Sequence, residues 1–131
     1  PHIKLFVHTN GGNLYAGLSG MEHIRTCEFD IHAYVDGFVA SAGTLLILGA
    51  KKRIMYKYSD VLIHQLSTGF WGKYEEMVEE AKNCKKLMKM MKDIYQTYTV
   101  IPDEILDTLM TKEINLNFKK CLKYKIVDIV V

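Results

Sequence analysis

The sequence predicts an α/β domain, in which strands alternate with helices around one core. Three observations lead there. Short runs of strand character recur along the chain, and segments of helical spacing lie between them. A strand-like run at 31–35 leads into a stretch of small residues and then an uncharged apolar run, the grammar of strand, tight turn and buried helix. One helical segment, about 73–98, is far longer than the others. At 131 residues the chain has the length of a single domain, and residues 1–131 are expected to form it.

Ile3, Leu5 and Val7 alternate with Lys4, Phe6 and His8, which reads as a strand. Asn10-Gly11-Gly12 breaks it. Leu14, Leu18, Met21 and Ile24 then repeat at helical spacing up to Cys27. The strand at 31–35 follows, with Gly37 placed to turn the chain toward Ser41 and an apolar helix from Thr44 to Leu48. Lys51-Lys52-Arg53 reads as a charged turn, and 53–58 and 60–65 as two further strands. Residues 68–72, with Trp71, form a loop or a loose arm before the long helix.

That helix carries an apolar stripe of Met77, Ala81, Cys84, Leu87 or Met88, Met91, Ile94 or Tyr95, and Tyr98. Acids (Glu75, Glu76, Glu79, Glu80) gather at its start and lysines (Lys85, Lys86, Lys89, Lys92) toward its end, which suits the helix dipole. Pro102 opens another helix as a first-turn residue, with Asp103 and Glu104 behind it. Asn117 is placed to cap a short last helix, and 126–131 reads as a closing strand.

Composition narrows the function. A hydrophobic share of 49% and a charged share of 24% are those expected of a soluble globular chain. The net charge of +2 is small, and the lysines are interleaved with acids, which argues against a nucleic-acid partner. No apolar run approaches the roughly 20 residues that span a bilayer, so no membrane role is expected. The N-terminus reads as a strand instead of a secretory signal, and a cytoplasmic location is expected. Cys27, Cys84 and Cys121 are odd in number and far apart, which fits neither a zinc spacing nor a disulfide framework. Reduced thiols and no bound metal follow. The chain starts at Pro1 and enters a strand at once, so a preceding segment is expected in the natural protein.

Four places bear on chemistry. Ser41 lies at or near a helix start, where backbone N–H groups have no partner inside the helix. Such groups can hold an oxyanion. The small neighbours Ala40, Ala42 and Gly43 would let a substrate backbone approach. Serine is also a favoured N-cap, and this stretch alone requires nothing more. Gly11-Gly12 is either a plain turn or a backbone donor that a substrate can approach closely. His64, within the apolar run around Leu62-Ile63, is either a satisfied core histidine or a base near a nucleophile. Glu113 is either a solvated acid or the carboxylate that orients that base.

Taken in order, these places resemble a known family, the proteolytic subunit of the Clp protease, ClpP. The family carries Ser-Pro-Gly-Gly after a strand, where this chain has Thr9-Asn10-Gly11-Gly12. It carries Ala-Ser-x-Gly around the nucleophile, here Ala40-Ser41-Ala42-Gly43, and Ile-His-Gln around the base, here Ile63-His64-Gln65. Its late Arg-Asp pair is Lys112-Glu113 here, and its Tyr-Gly-Leu-Val-Asp ending is Tyr124-Lys125-Ile126-Val127-Asp128. The departures are Asn10 for proline, Glu113 for the usual aspartate and Lys125 for glycine.

The resemblance implies a ClpP/crotonase-like fold of repeated β-β-α units, with the long helix as a handle between rings. It implies a serine endopeptidase acting on unfolded or unfoldase-delivered polypeptides, without a cofactor. Ser41 would be the nucleophile, His64 the base and Glu113 the acceptor of the imidazole N–H. Backbone N–H groups of Gly12 and Ala42 would form the oxyanion hole. Asn13 and Leu14 would pair with an extended substrate, and Leu66 would line a side-chain pocket. Stacked heptameric rings of identical subunits and an AAA+ unfoldase partner are likewise implied. Asp107 and Asp128 are the other acids in reach by chain order, and Glu113 holds the family's acid position.

Three other readings remain at this point: a catalytically silent subunit that completes a ring, a crotonase-type acyl-CoA enzyme, and a Ser–Lys protease in which Lys51 or Lys52 replaces His64.

Overall fold

The computed structural model describes residues 1–67 and 69–131, so the expected 68–72 arm falls partly outside the described residues, at Thr68. The strands are β1 (His2–Thr9), β2 (Asp30–Ala40), β3 (Lys52–Met55), β4 (Asp60–Leu62), β5 (Asn115–Leu116) and β6 (Ile129–Val130). The helices are α1 (Leu14–Arg25), α2 (Thr44–Leu48), α3 (Tyr74–Tyr98), α4 (Asp103–Thr111) and α5 (Phe118–Lys123). The α/β expectation holds.

β2 is the spine of the sheet. β1 pairs with it in parallel along one edge. On the other edge β3 pairs with its first half and β4 with its second, both in parallel. β6 extends the sheet beyond β3, and β5 extends it antiparallel beyond β4. The sheet therefore forks at Gly37.

Gly37 does not end the strand, as its sequence position suggested. It bulges the strand, which continues to Ala40. Val7 pairs with Val35 but Thr9 pairs with Val39, so β2 holds two extra residues against β1. Gly37 has φ 94°, and a Cβ there would lie 2.9 Å from His8 Nδ1. Its N–H donates to buried Ser59 Oγ at 2.7 Å, and Ser59 Oγ donates to the Val35 carbonyl at 3.1 Å. The bulge is thus built and satisfied, and it aims the last turn of strand at the site.

Several boundaries are tighter than the sequence suggested. Lys52 belongs to β3, not to a turn, and Arg53 follows its strand reading. The reason lies in Arg53, whose guanidinium donates to the carbonyls of Tyr98 at 2.7 Å and of Leu48 and Lys125 at 3.1 Å. One cation thereby closes the C-terminal ends of α2 and α3 and the turn after α5, as suits helix C-termini. Burial pulls its pKa below the usual arginine value. Pairing of β4 with β5 ends at Leu62, so His64 and Gln65 lie just past the strand. The closing strand is only Ile129–Val130, because Ile126 and Val127 turn into the core instead. Pro102 is the N-cap of α4, one position before its first turn.

α3 divides in two. No residue of this helix before Met91 is buried, and Tyr74 and Met77 are exposed. Met91 and Tyr95 are then fully buried in the core, where the second half of the helix meets the sheet. Asn13 and Asn117 cap α1 and α5 through side-chain oxygens accepting the Ala16 and Lys120 N–H groups. No described helix is long and apolar enough to cross a membrane.

Candidate active site

Ser41 stands where β2 ends and a 3-10 turn, Ser41–Gly43, leads into α2. Its φ is 57°, a left-handed conformation that a residue with a side chain adopts at a cost of roughly 1–3 kcal/mol. Packing over-determines it. A Cβ on Gly11 would lie 2.7 Å from Ser41 Cβ and 2.9 Å from the Ala40 carbonyl oxygen, so only glycine fits behind the serine. From the other side the Thr44 hydroxyl reaches the Ser41 carbonyl oxygen at 2.7 Å, and the buried Tyr95 hydroxyl reaches Thr44 Oγ1 at 2.5 Å.

Ser41 opens on a small cavity lined by Gly12, Leu14, Ala42, Leu66 and Met91. Gly12 has open space where a side chain would be. The expected oxyanion donors Gly12 and Ala42 therefore line the same cavity as the serine, as does Leu66. Leu66 is held by its own N–H, which donates to Met88 Sδ of α3 at 3.1 Å. Asn13 spends its side chain on the cap of α1, and Leu14 is buried as the first residue of that helix. Asn13 lines a separate cleft with Gly11, Gly12 and Ala42.

His64 and Glu113 line an adjoining cavity with Gln65, Leu66, Met110 and Lys112. Leu66 and Ser67 belong to both cavities and form the wall between them. Among the described residues no hydrogen bond joins Ser41 to His64, or His64 to Glu113. His64 Nδ1 instead lies 2.6 Å from the Gln65 carbonyl oxygen. A carbonyl only accepts, so Nδ1 is the donor in this bond. The expected acceptor, Glu113, is replaced by a neighbouring backbone oxygen. The physical reason is local: that oxygen needs no chain closure, whereas exposed Glu113 keeps its hydration.

The rival acids are engaged elsewhere. Asp107 pairs with Lys92 at 2.7 Å, and Asp128 Oδ2 accepts the Arg53 backbone N–H at 2.9 Å. Among the described residues no group of three His, Cys, Asp or Glu side chains gathers at one point. The three cysteines are free thiols.

Over residues 1–131 the chain matches the family model described as Clp protease. The chain belongs to the Clp protease family. Its relatives in that family include the ATP-dependent Clp protease proteolytic subunits of Deinococcus radiodurans, 30% identical over 131 residues, and of Cuscuta reflexa, 29% identical. These alignments cover 98% of the chain but 64% and 65% of the relatives, so the chain spans a little under two thirds of their length. A ClpP1 mutant from Listeria monocytogenes superposes with a TM-score of 0.87 at 23% identity, covering 98% of this chain and 72% of that one. This Clp protease chain therefore has the ClpP/crotonase-like fold, with α3 as its long helix.

Sequence reasoning did not find Thr44 and Tyr95. Thr44 was visible only as the start of an apolar run and Tyr95 only as one member of a helical stripe. A hydroxyl three residues after the serine was the available signal, because Ser and Thr side chains commonly bond a nearby backbone carbonyl.

Proposed function

We propose that this Clp protease chain is a serine endopeptidase subunit that cleaves extended or unfolded polypeptides, with Ser41 as nucleophile and His64 as base. Ser41 attacks the scissile carbonyl. His64 Nε2 takes the serine proton and returns it to the leaving amine. The N–H groups of Gly12 and Ala42 receive the oxyanion. Glu113, in the histidine's cavity, balances the imidazolium charge, while the Gln65 carbonyl already sets the tautomer. Leu66 borders the pocket for a substrate side chain, and Asn13 and Leu14 flank the substrate's path.

The observation that carries this reading is the left-handed turn at Ser41, φ 57°, packed on Gly11 and opening on Gly12 and Ala42. Storing backbone strain at a serine is the mark of a residue being aimed. The chain acts as one domain, residues 1–131, within a ring of identical copies fed by an AAA+ unfoldase. Hydrolysis of an unfolded fluorogenic polypeptide, with Ser41→Ala as the control, tests it. Loss of turnover in that variant at unchanged thermal stability supports the assignment, and turnover equal to the parent's overturns it.

A second reading has its own observation. His64 is bonded to Gln65 and to neither Ser41 nor Glu113, which suits a silent subunit that only completes a ring. Mixed assemblies with an active family member would then turn over substrate without any contribution from Ser41.

A further inference from the structure

Tyr95, far from Ser41 in sequence, is tied to the nucleophile through two short hydrogen bonds. Thr44 Oγ1 is 2.7 Å from the Ser41 carbonyl oxygen and 2.5 Å from Tyr95 Oη. A carbonyl oxygen only accepts, so the single Thr44 hydroxyl proton goes to Ser41. The proton between Thr44 and Tyr95 must then come from the tyrosine. The order is fixed: Tyr95 donates to Thr44, and Thr44 donates to Ser41. Both side chains are buried, with 1% of their surface exposed, so each bond is shielded from water and strengthened by its neighbour. The phenol stays protonated at any working pH, since burial pushes it up to about 12.

The Ser41 carbonyl also accepts the Thr44 N–H, so the relay closes the turn that holds φ 57°. That turn sets two things at once: where Ser41 Oγ points, and where the Ala42 N–H points. We infer that Tyr95 is a positioning residue for the nucleophile turn, acting through Thr44 on Ser41 and on the adjoining oxyanion donor. The inference rests on the peptidase reading for its catalytic consequence and on the structure alone for its geometry. Met91, one turn before Tyr95 on the same face, lines the serine's cavity.

The test compares Tyr95→Phe, Thr44→Val, their combination and Thr44→Ser in the full chain. Two readouts are taken: steady-state peptide hydrolysis, and amide hydrogen exchange over the peptide containing Ser41, Ala42 and Gly43. Tyr95→Phe should lower kcat roughly 5- to 30-fold, the value of one or two buried hydrogen bonds, with KM within about twofold. Thr44→Val should do at least as much, and the double variant no more than Thr44→Val alone, because the bonds act in series. Thr44→Ser, which keeps the hydroxyl, should recover most of the parent's kcat. Exchange over the turn should quicken in Tyr95→Phe and Thr44→Val but not in Thr44→Ser.

Additive losses, a Thr44→Ser variant no better than Thr44→Val, or unchanged exchange in Tyr95→Phe would each overturn the relay. If the parent protein hydrolyses no peptide, the peptidase reading fails, and the exchange data alone decide the relay. Quickened exchange then sustains it, and unchanged exchange refutes it.

Discussion

His64 Nδ1 lies 2.6 Å from the carbonyl oxygen of Gln65, the next residue in the chain. In the proposed mechanism this bond would take over the tautomer-setting part usually given to a triad acid, because Nδ1 is its donor and Nε2 is left to act as the base. Removing the acid charge should then cost less than the loss of about 10⁴ in the template protease, where the wrong tautomer results. Glu113→Gln is expected to lower kcat/KM by roughly 10- to 100-fold, the scale of one interaction with a charged group. A fall near 10⁴ would show that Glu113, not Gln65, holds the imidazole in the working state.

The strain at Ser41 yields a stability prediction independent of activity. Ser41→Gly removes a left-handed side chain that costs about 1–2 kcal/mol, partly offset by glycine's greater freedom in the unfolded chain. Differential scanning should show Ser41→Gly melting a few degrees above Ser41→Ala, with neither variant hydrolysing peptide. Equal melting temperatures would mean that the turn carries no strain.

Gly11 backs the serine so closely that a single methyl group is excluded. Gly11→Ala would meet Ser41 Cβ at 2.7 Å at a residue whose φ is 98°. A destabilisation of roughly 2–4 kcal/mol is expected, combining strain with overpacking. Chemical denaturation measures it, and a cost under about 0.5 kcal/mol would contradict the packing described.

The alkaline limb of stability should carry the signature of two buried groups. Burial pushes the Tyr95 phenol and the Cys121 thiol each up to about 12. Both are raised above their unfolded values, so their contribution is complete below the unfolded pKa and is lost as pH rises toward the folded one. Unfolding free energy should therefore fall between about pH 9 and 12, by on the order of 1.4 kcal/mol for each pH unit that separates a group's folded and unfolded pKa. Tyr95→Phe should flatten part of that fall. An identical alkaline slope in parent and variant would refute the burial of the phenol.

The arm before α3 is expected to be covered by another copy of the chain. Trp71 is 98% exposed and Tyr74 75%, and Met77 lies exposed on the next turn. Large apolar side chains left this open in the free chain are expected to be covered in an assembly. Sedimentation should show an oligomer, and Met77→Asp should shift it toward smaller species and raise the quenching of Trp71 by acrylamide. A parent protein that sediments as a monomer, with Trp71 fully quenchable, would contradict this.

Most of the fold was legible because it is written in local periodicity. The alternation at Ile3, Leu5 and Val7, the helical repeat from Leu14 and the long stripe ending at Tyr98 each produced the element expected. Ser41, Gly12, Ala42 and Leu66 were found together at one cavity because their motifs sit at the ends of adjacent elements. What was not legible depends on contacts distant in sequence. Gly37 bulges the strand where Ser59 Oγ accepts its N–H and His8 Nδ1 accepts that of Phe38, and neither lies near it in sequence. Arg53, which the sequence placed both in a charged turn and at a strand start, is fixed in the strand because three carbonyls from separate elements accept from it. The Tyr95 to Thr44 bond joins residues far apart in the chain, and no local pattern could announce it.

The most direct measurement is covalent labelling of the full chain with a fluorophosphonate, followed by mass spectrometry of its peptides. The account predicts one adduct, on Ser41, formed in the parent, slowed in Tyr95→Phe and absent in His64→Ala. A parent chain that takes no adduct at Ser41 while an active family member labels under the same conditions would contradict it, and would leave the silent ring subunit as the reading of this protein.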